Sequence, residues 1–237
     1  MNCGEYNMAL DIITFYLYLH FMLLNRPQIS KTHSTDLFQD RYLNLLWGRL
    51  ACELLIGNIE DAQQDIRSIE NYLKSNEVCL VSPLHSTSVP ASQLVQERTW
   101  LLHYGLFLFA QHPEGVDLFY RNFMNKEYFL LISLILRYLS VMEINCPWVL
   151  RYAVVIILTQ GKQNRHMLSR VAEIVDRSDE PVVDPLLLFI YHMVIHMDFV
   201  SAAKQFAQVE DVFASDFFLA SRGVQFEEVQ VWSEGDV

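Results

Sequence analysis

The stretch Gly-Asn-Ile-Glu-Asp-Ala at residues 57–62 separates two apolar runs with helical spacing, and related hexapeptides occur twice more, at residues 4–9 (Gly-Glu-Tyr-Asn-Met-Ala) and 197–202 (Met-Asp-Phe-Val-Ser-Ala). The glycine, or the polar residue after it, is suited to end one helix and cap the next. The alanine that closes each hexapeptide lets a neighbouring helix approach closely. Stacked helical hairpins repeat in this way. The sequence therefore predicts an all-α fold of antiparallel helical hairpins.

Buried and amphipathic helices alternate along the chain. Segments that are apolar round most of their circumference are each followed by a segment with a narrow apolar stripe, as expected of an outer layer. The alternation occurs at residues 36–73, 147–177 and 185–213. Two layers of antiparallel helices are the simplest arrangement that buries the apolar surfaces of both kinds of helix. The run at residues 7–24 is apolar on almost all sides, which predicts a helix packed on several faces.

The organisation predicted along the chain has four parts. A loop is expected where Pro83, Pro90 and several Ser and Thr interrupt the helical spacing. The acidic C-terminal residues are expected to be a disordered tail. The predicted parts are N-terminal helical repeats at 1–75, a flexible loop at 76–92, further helical repeats at 93–220 and the tail at 221–237.

Charge and hydrophobicity exclude several classes of protein. The 237 residues carry a formal net charge of −11, which opposes general attraction to phosphate backbones, so direct RNA contact is not expected. The apolar run at residues 12–24 is shorter than the ~18 residues that a membrane span needs. Glu5 and Asp11 stand where a signal peptide has basic residues. The sequence predicts a cytoplasmic protein with no membrane span.

The cysteines and histidines do not form a recognisable metal site. The four cysteines are far apart and have no zinc-finger spacing, which predicts reduced thiols in the core. His192 and His196 lie four apart on a predicted helix and could supply half of a zinc site, but the sequence shows no third ligand. Neither a nucleophile elbow nor a Gly-rich phosphate loop occurs. We therefore predict no catalytic, cofactor or metal site.

One helix carries a concentration of basic residues, formed by Lys162, Arg165, His166 and Arg170. It is a candidate for contact with RNA or with an acidic partner. The alternative is an ordinary solvated helix face, which we favour because about four positive groups give weak, salt-sensitive binding.

Aromatic residues recur at helical spacing in residues 100–109. Trp100, Tyr104, Phe107 and Phe109 could form a base-stacking platform. Such stripes more often face a hydrophobic core, and the residues from Trp148 to Leu158 are predicted to be buried for the same reason.

Several ordered motifs resemble one known family. They are Leu-Leu-Trp-Gly-Arg-Leu-Ala at 45–51, Gln-Glu-Arg-Thr-Trp-Leu-Leu-His-Tyr at 96–104, Cys-Pro-Trp-Val-Leu-Arg-Tyr at 146–152, and two shorter segments at 198–203 and 216–219. In this order they are similar to the family formed by the E subunit of eukaryotic translation initiation factor 3, whose members contain a PCI domain. The resemblance covers residues 3–220.

The resemblance implies a fold, a function and partners. The fold would be the TPR-like helical-repeat part of a PCI domain without a complete winged helix, since the family's long N-terminal segment and its winged helix are not matched. The function would be that of a non-catalytic scaffold subunit that supports assembly of the initiation complex, with no cofactor. The partners would be other subunits of the factor and, indirectly, the small ribosomal subunit. A PCI scaffold subunit of the proteasome lid or the signalosome is the alternative.

The ends of the predicted helical stack offer candidate binding residues. A stack of repeats without capping repeats exposes apolar surface at both ends. At the C-terminal end, Phe217, Phe218 and Leu219 are predicted to form an exposed edge that binds a partner.

Overall fold

A computed structural model of the chain describes residues 3–24, 34–81, 90–124, 132–159, 165–178 and 182–222. All regular structure in these ranges is helical, which confirms the predicted all-α class. The chain divides into two compact units, unit 1 (Met1–Glu97) and unit 2 (Arg98–Val237). The helices of the first half are α1 (Cys3–Leu24), α2 (Ser34–Ile56), α3 (Ile59–Val81), α4 (Ala91–Gln111), α5 (Gly115–Phe119) and α6 (Ile132–Asn145).

The second half of the chain is also helical, and its helices are shorter. A 3-10 turn at Pro147–Val149 leads into α7, and a π-helical turn at His192–His196 extends α9. A further π-helical turn, Tyr120–Met124, extends α5. The remaining helices are α7 (Leu150–Thr159), α8 (Arg165–Arg177), α9 (Pro185–Tyr191), α10 (Phe199–Phe206), α11 (Val209–Ser215) and α12 (Phe217–Arg222).

The turn at residues 57–62 forms as the sequence predicts. Gly57 has φ of 91°, a left-handed conformation that a residue without Cβ adopts readily. Its N–H and that of Asn58 both donate to the carbonyl of Glu53 at 2.9 Å, which satisfies the end of α2. Ala62, in the first turn of α3, is fully buried. The two-residue connection makes α2 and α3 an antiparallel hairpin.

Of the other two hexapeptides, the one at residues 197–202 forms the predicted turn and the one at residues 4–9 does not. At 197–202, Met197 takes the left-handed conformation (φ 51°) and the Asp198 carboxylate accepts from the N–H groups of Val200 and Ser201, both at 3.1 Å. A helix therefore ends and another begins there, as predicted. At 4–9 the prediction of a turn is wrong, because α1 begins at Cys3 and Gly4 lies within its first turn.

The core of unit 1 lies between α2 and α3. Arg49 and Asp65 form an ion pair across the two helices, and the carboxylate of Asp65 is almost fully buried. Gly48 lies where α1 crosses, since a Cβ built there would be 3.3 Å from Cδ1 of Ile13. The apolar core residues of α2 and α3 include Leu43, Leu46, Leu50, Ala62, Ile66, Ile69 and Leu73.

Among the residues that the structure describes, α1 packs on α2 by one face. Leu17 is 8% exposed, whereas large apolar residues on other sides of α1, such as Phe15 at 58%, lie open to solvent. The prediction that this helix is packed on several sides is therefore wrong. Its apolar residues exceed what a single neighbouring helix can cover.

The core of unit 2 is built on α7, whose residues Tyr152 to Leu158 are all buried. A chain of aromatic rings extends it, with centroids of Phe119 and Phe123 4.7 Å apart and those of Phe123 and Tyr138 5.1 Å apart. Helix α8 follows with a narrow buried stripe that includes Met167, Leu168 and Val171. The predicted alternation of buried and striped helices is thus present in this unit.

The bounds of two predicted segments differ from those of the structure. Helix α3 runs to Val81, so residues 76–81, predicted as loop, are helical. The segment at 199–213, predicted as one helix, is interrupted at Ala207 and Gln208 and forms α10 and α11. The tail predicted at 221–237 lies outside the described residues, apart from Ser221 and Arg222 at the end of α12. None of the described helices is long and apolar enough to span a bilayer.

Candidate partner-binding surface

Two of the sequence motifs meet at an exposed aromatic corner of unit 2. Trp100 and His103 lie one turn apart on α4, and Trp148 lies in the 3-10 turn before α7. The rings of Trp100 and His103 are 6.3 Å apart between centroids, and those of His103 and Trp148 are 5.7 Å apart. Both tryptophans remain more than half exposed, at 54% and 56%. Exposed tryptophans held in place by neighbours are typical of binding hot spots.

Hydrogen bonds fix this corner. His103 Nδ1 lies 2.7 Å from the carbonyl oxygen of Thr99, which can only accept, so Nδ1 carries the proton. His103 Nε2 is then an acceptor, and Trp148 Nε1 donates to it at 3.2 Å. Asn145 Nδ2 donates to Thr99 Oγ1 at 3.0 Å and ties the end of α6 to α4. These hydrogen bonds therefore hold the indole of Trp148 in one orientation.

The aromatic surface continues along α4 to α12. Phe107 is 38% exposed and lies one turn beyond His103, and its ring contacts that of Phe218 at 5.3 Å. Phe218 also contacts Phe217, at 5.2 Å. We call these six side chains the aromatic surface: Trp100, His103, Phe107, Trp148, Phe217 and Phe218.

The three residues of the predicted edge at 217–219 differ in exposure. Phe217 is 69% exposed and lies at the rim. Phe218 is half-buried because it packs against Phe107 and, at 5.8 Å between centroids, Tyr152. Leu219 is 1% exposed and belongs to the core, so it is not part of an exposed edge. Helical periodicity requires this outcome, since three consecutive residues of a helix cannot share one face.

An open groove of about 670 Å³ lies beside Trp148. Apolar side chains of Ile144, Pro147 and Val183 line it, and Ile144 and Val183 are 73% and 82% exposed. At its rim Arg177 pairs with Glu143 at 3.5 Å. The groove therefore adds apolar surface beside Trp148, with a paired arginine and glutamate at its rim.

Arg151 anchors the helices behind the aromatic surface. Its Nε donates to Asp184 at 2.5 Å and its Nη1 to Asp216 at 2.7 Å, and each aspartate also caps the start of a helix, α9 or α12. Burial by itself lowers the pKa of Arg151, but the two carboxylates outweigh it and the pKa is raised. Burial and the hydrogen bond to Asp216 raise the pKa of Tyr152. Arg151 and Tyr152, both in the third motif, thus position Phe218 through α12.

The predicted basic helix is only partly described. Lys162 lies outside the described residues, and the side chain of Arg165, the first residue of α8, is likewise outside them. His166 is exposed. Arg170 is exposed and its Nη1 donates to Glu173 at 2.9 Å. The carboxylate beside Arg170 offsets the positive charge that an RNA would need.

The histidine pair belongs to a small polar cluster. His196 Nε2 lies 2.7 Å from the hydroxyl of Tyr191, and that hydroxyl donates to Asp176 at 3.2 Å. The rings of His192 and His196 are 6.0 Å apart. Among the residues whose placement is described, no three His, Cys, Asp or Glu side chains converge as metal ligands do.

Sequence reasoning missed the exposure of Trp100, Phe107 and Trp148, which it assigned to the core. Pro147 marks the first position of a new helix, which places Trp148 in its first turn, but the sequence does not say which side of that turn is buried. For Trp100 and Phe107, spacing alone does not say which of two apolar faces is buried. Phe109, in the same stripe, is fully buried as predicted.

The fold defines a class, that of all-α proteins built from helical hairpins. Within it, the chain is similar over more than nine-tenths of its length to proteins named as the E subunit of eukaryotic translation initiation factor 3. The relative from Anopheles gambiae is 28% identical over 228 residues, and that from Bombyx mori 29% over 219 residues. The resemblance predicted from the motifs is confirmed. No family model matches the chain.

The similarity covers only part of each relative. The aligned region is 96% of this chain but 44% of the Anopheles gambiae protein, and 92% of this chain but 42% of the Bombyx mori protein. For the relative from Caenorhabditis briggsae, 27% identical, it is 93% of this chain and 60% of the relative. The chain therefore spans about half the length of the curated relatives it matches.

Proposed function

We propose that the chain acts as a non-catalytic scaffold subunit of eukaryotic translation initiation factor 3 in the cytoplasm, and that its hairpins are the helical-repeat part of a PCI domain. The observation that carries this proposal is the meeting of two motifs at the aromatic surface. Two motifs that resemble the family in sequence order are brought together in space, at Trp100 and Trp148. Other subunits of the factor would bind there, and contact with the small ribosomal subunit would be indirect.

The chemistry of the surface supports protein binding. Tryptophan and phenylalanine side chains offer large apolar area with few rotatable bonds, so little conformational entropy is lost on binding. Trp148 is already oriented by His103, and Phe218 by Phe107, which reduces that loss further. The ionisable residues of the adjoining groove are paired, which disfavours acid–base or nucleophilic chemistry there.

A proteasome-lid or signalosome subunit would have a similar scaffold, and the partners recovered from cells distinguish the possibilities. The full chain with an affinity tag is expressed in cells of a eukaryote, purified, and its bound proteins are identified by mass spectrometry. We expect other subunits of translation initiation factor 3. Recovery of proteasome-lid or signalosome subunits in their place would overturn the proposal.

The same experiment tests the surface. The double variant Trp100→Ala/Trp148→Ala removes two half-exposed side chains and is expected to reduce recovery of partner subunits at least tenfold, as loss of hot-spot residues does. The matched control is Phe199→Ala, which removes an aromatic side chain of similar exposure (55%) from α10, outside the aromatic surface. If the control reduces recovery as much as the double variant does, partners do not bind at the aromatic surface.

A further inference from the structure

A second hollow, of about 290 Å³, adjoins the open groove beside Trp148. Glu143, Ile174 and Arg177 line both hollows, so the two form one continuous depression, which we call the α6–α8 groove. Its walls come from α6, from α8 and from the segment that leads into α9, all within residues 139–187 of unit 2. The groove is therefore built by helices from the interior of the chain.

The shape of the α6–α8 groove suits a helix. Both α6 and α8 pack on α7. Ser140 lies with Arg170 in the smaller hollow, and Ile144 lies with Ser178 in the larger one, so α6 and α8 run in the same direction. Two helices that lie side by side in this way leave a channel between them, in which an amphipathic helix can place its apolar face.

The surface of the groove is apolar on its floor and at one part of its rim. Leu139, Ile174 and Leu187 are buried and line the floor, and the exposed side chains of Ile144 and Val183 stand at the rim. A helix with an apolar stripe would remove both rim side chains from water. Burial of one large aliphatic side chain is worth about tenfold or more in affinity.

Two exposed arginines of α8 stand along the groove. The side chains of Arg170 and Arg177 are 49% and 60% exposed. They are seven residues apart, which is two turns or about 10 Å along the helix axis. The chain as a whole carries a formal charge of −11, so two exposed cations beside an apolar groove form a local exception. A basic helix would place its own cations against them.

Arg177 has the capacity to bind a second carboxylate. Its Nη2 lies 3.5 Å from Glu143 Oε1, which is longer than a strong charge-assisted hydrogen bond, and exposed pairs of this kind contribute little energy. Arginine has five N–H donors. Arg151 in the same unit donates to the carboxylates of both Asp184 and Asp216.

We propose that the α6–α8 groove binds an amphipathic helix of a partner protein, with acidic residues beside its apolar stripe. The apolar stripe lies on the floor of the groove, and two carboxylates about seven positions apart pair with Arg170 and Arg177. The inference deepens the proposed function, and rests on it only for the statement that the helix belongs to a partner subunit.

Fluorescence anisotropy of a labelled synthetic peptide with the full chain tests the proposal. The probe is a peptide of about 18 residues, with leucines at helical steps of three and four and with glutamates seven positions apart beside them. We expect saturable binding with a Kd on the order of 10–100 µM, which weakens as salt is added. A twin peptide with lysine in place of glutamate should bind at least about tenfold more weakly.

Charge variants of the chain test the role of the arginine. Arg177→Glu should weaken binding of the glutamate peptide at least about tenfold and improve binding of the lysine peptide. The matched control is Arg121→Glu, because Arg121 is also exposed (53%) and paired with an acidic residue, Asp117, but does not line the groove. Glu143→Gln should tighten binding of the glutamate peptide about threefold, since it removes the carboxylate that competes for Arg177.

An apolar variant tests the rim. Ile144→Ser should weaken binding of the glutamate peptide about tenfold. The matched control is Val200→Ser, because Val200 is similarly exposed (68%) but lies on α10, and its Kd should stay within about twofold of that of the unchanged chain. Circular dichroism establishes that each variant is folded.

Four outcomes would overturn the proposal. They are no saturable binding of the glutamate peptide up to about 1 mM, equal binding of the lysine twin, equal binding of a peptide with the same residues in scrambled order, and equal losses in Arg177→Glu and Arg121→Glu. None of them decides which complex the chain joins, because that is measured by the proteins recovered from cells. Failure of this inference and failure of the proposed function are therefore distinguishable.

Discussion

Arg151 and Asp216 are joined across unit 2 by a 2.7 Å hydrogen bond from Nη1 to Oδ2. The same carboxylate accepts from the hydroxyl of Tyr152 at 2.9 Å and, through its other oxygen, from the N–H groups of Phe218 and Leu219. One buried aspartate therefore starts α12 and ties it to α7. The position of the Phe217–Phe218 end of the aromatic surface depends on this residue.

Asp216→Ala is expected to destabilise the chain by about 3 kcal/mol, because it removes a helix cap and leaves Arg151 with one of its two carboxylates. Urea unfolding followed by circular dichroism measures the change. The control is Asp198→Ala, which removes an equivalent cap of α10 in an exposed turn. The Asp198→Ala variant should lose clearly less stability than Asp216→Ala. Equal losses of stability in the two variants would show that the pairing of Asp216 with Arg151 adds nothing to stability.

Gly57→Ala is expected to reduce stability by about 1 kcal/mol through backbone strain alone. No atom lies within 4 Å of the position that a Cβ would occupy, so the substitution creates no clash, but φ of 91° is unfavourable for alanine. Gly57→Asn should lose less than half as much, because asparagine tolerates left-handed torsions. Thermal unfolding of the unchanged chain and the two variants gives their order of stability. An alanine variant as stable as the unchanged chain would contradict the assigned turn.

The helices and their turns could be predicted because they depend on local chemistry. The Gly57 and Asp198 turns follow from residues within a few positions of each other, and so does the start at Pro147. Which face of a helix stays exposed is decided by distant partners. Phe107 contacts Phe218, far along the chain, and α1 has apolar residues on both faces although one helix packs on it. The exposure of Trp100, Phe107 and Trp148 could therefore be found only from the structure, whereas an exposed edge at residues 217–219 was predicted from the sequence.

Glu53→Gln is expected to stabilise the chain at pH 7 and to have little effect below pH 4. Burial raises the pKa of Glu53 above its ordinary value of 4.5, although the amide of Asn58, which donates to it at 2.8 Å, lowers it in part. The folded chain thus binds this proton more tightly than the unfolded chain, and stability falls as pH rises through the folded pKa. Glutamine keeps the acceptor for Asn58 without the charge.

Urea titrations of both proteins at several pH values from 4 to 7 measure this difference. The stability of the unchanged chain relative to Glu53→Gln should decline as pH rises above 4.5. Asn58→Ala removes the hydrogen bond that favours the ionised form, so the decline should become steeper in that variant. If the difference in unfolding free energy between the two proteins does not change with pH, the pKa of Glu53 is not raised in the folded chain.

Cys146 is expected to resist alkylation in the folded chain, although the next two residues, Pro147 and Trp148, are exposed. It is fully buried beside exposed Trp148, its Sγ lies 3.7 Å from the carbonyl of Val141, and burial raises the thiol pKa from 9.0 to about 11. At pH 8 the reactive thiolate fraction is then about a hundredfold smaller than for an unperturbed thiol. Iodoacetamide labelling followed by mass spectrometry should show at least this protection relative to the chain in urea. Because Cys146 immediately precedes Pro147 and Trp148, rapid labelling in the folded chain would mean that this corner opens, and the Trp148 indole would then not be oriented in advance for a partner.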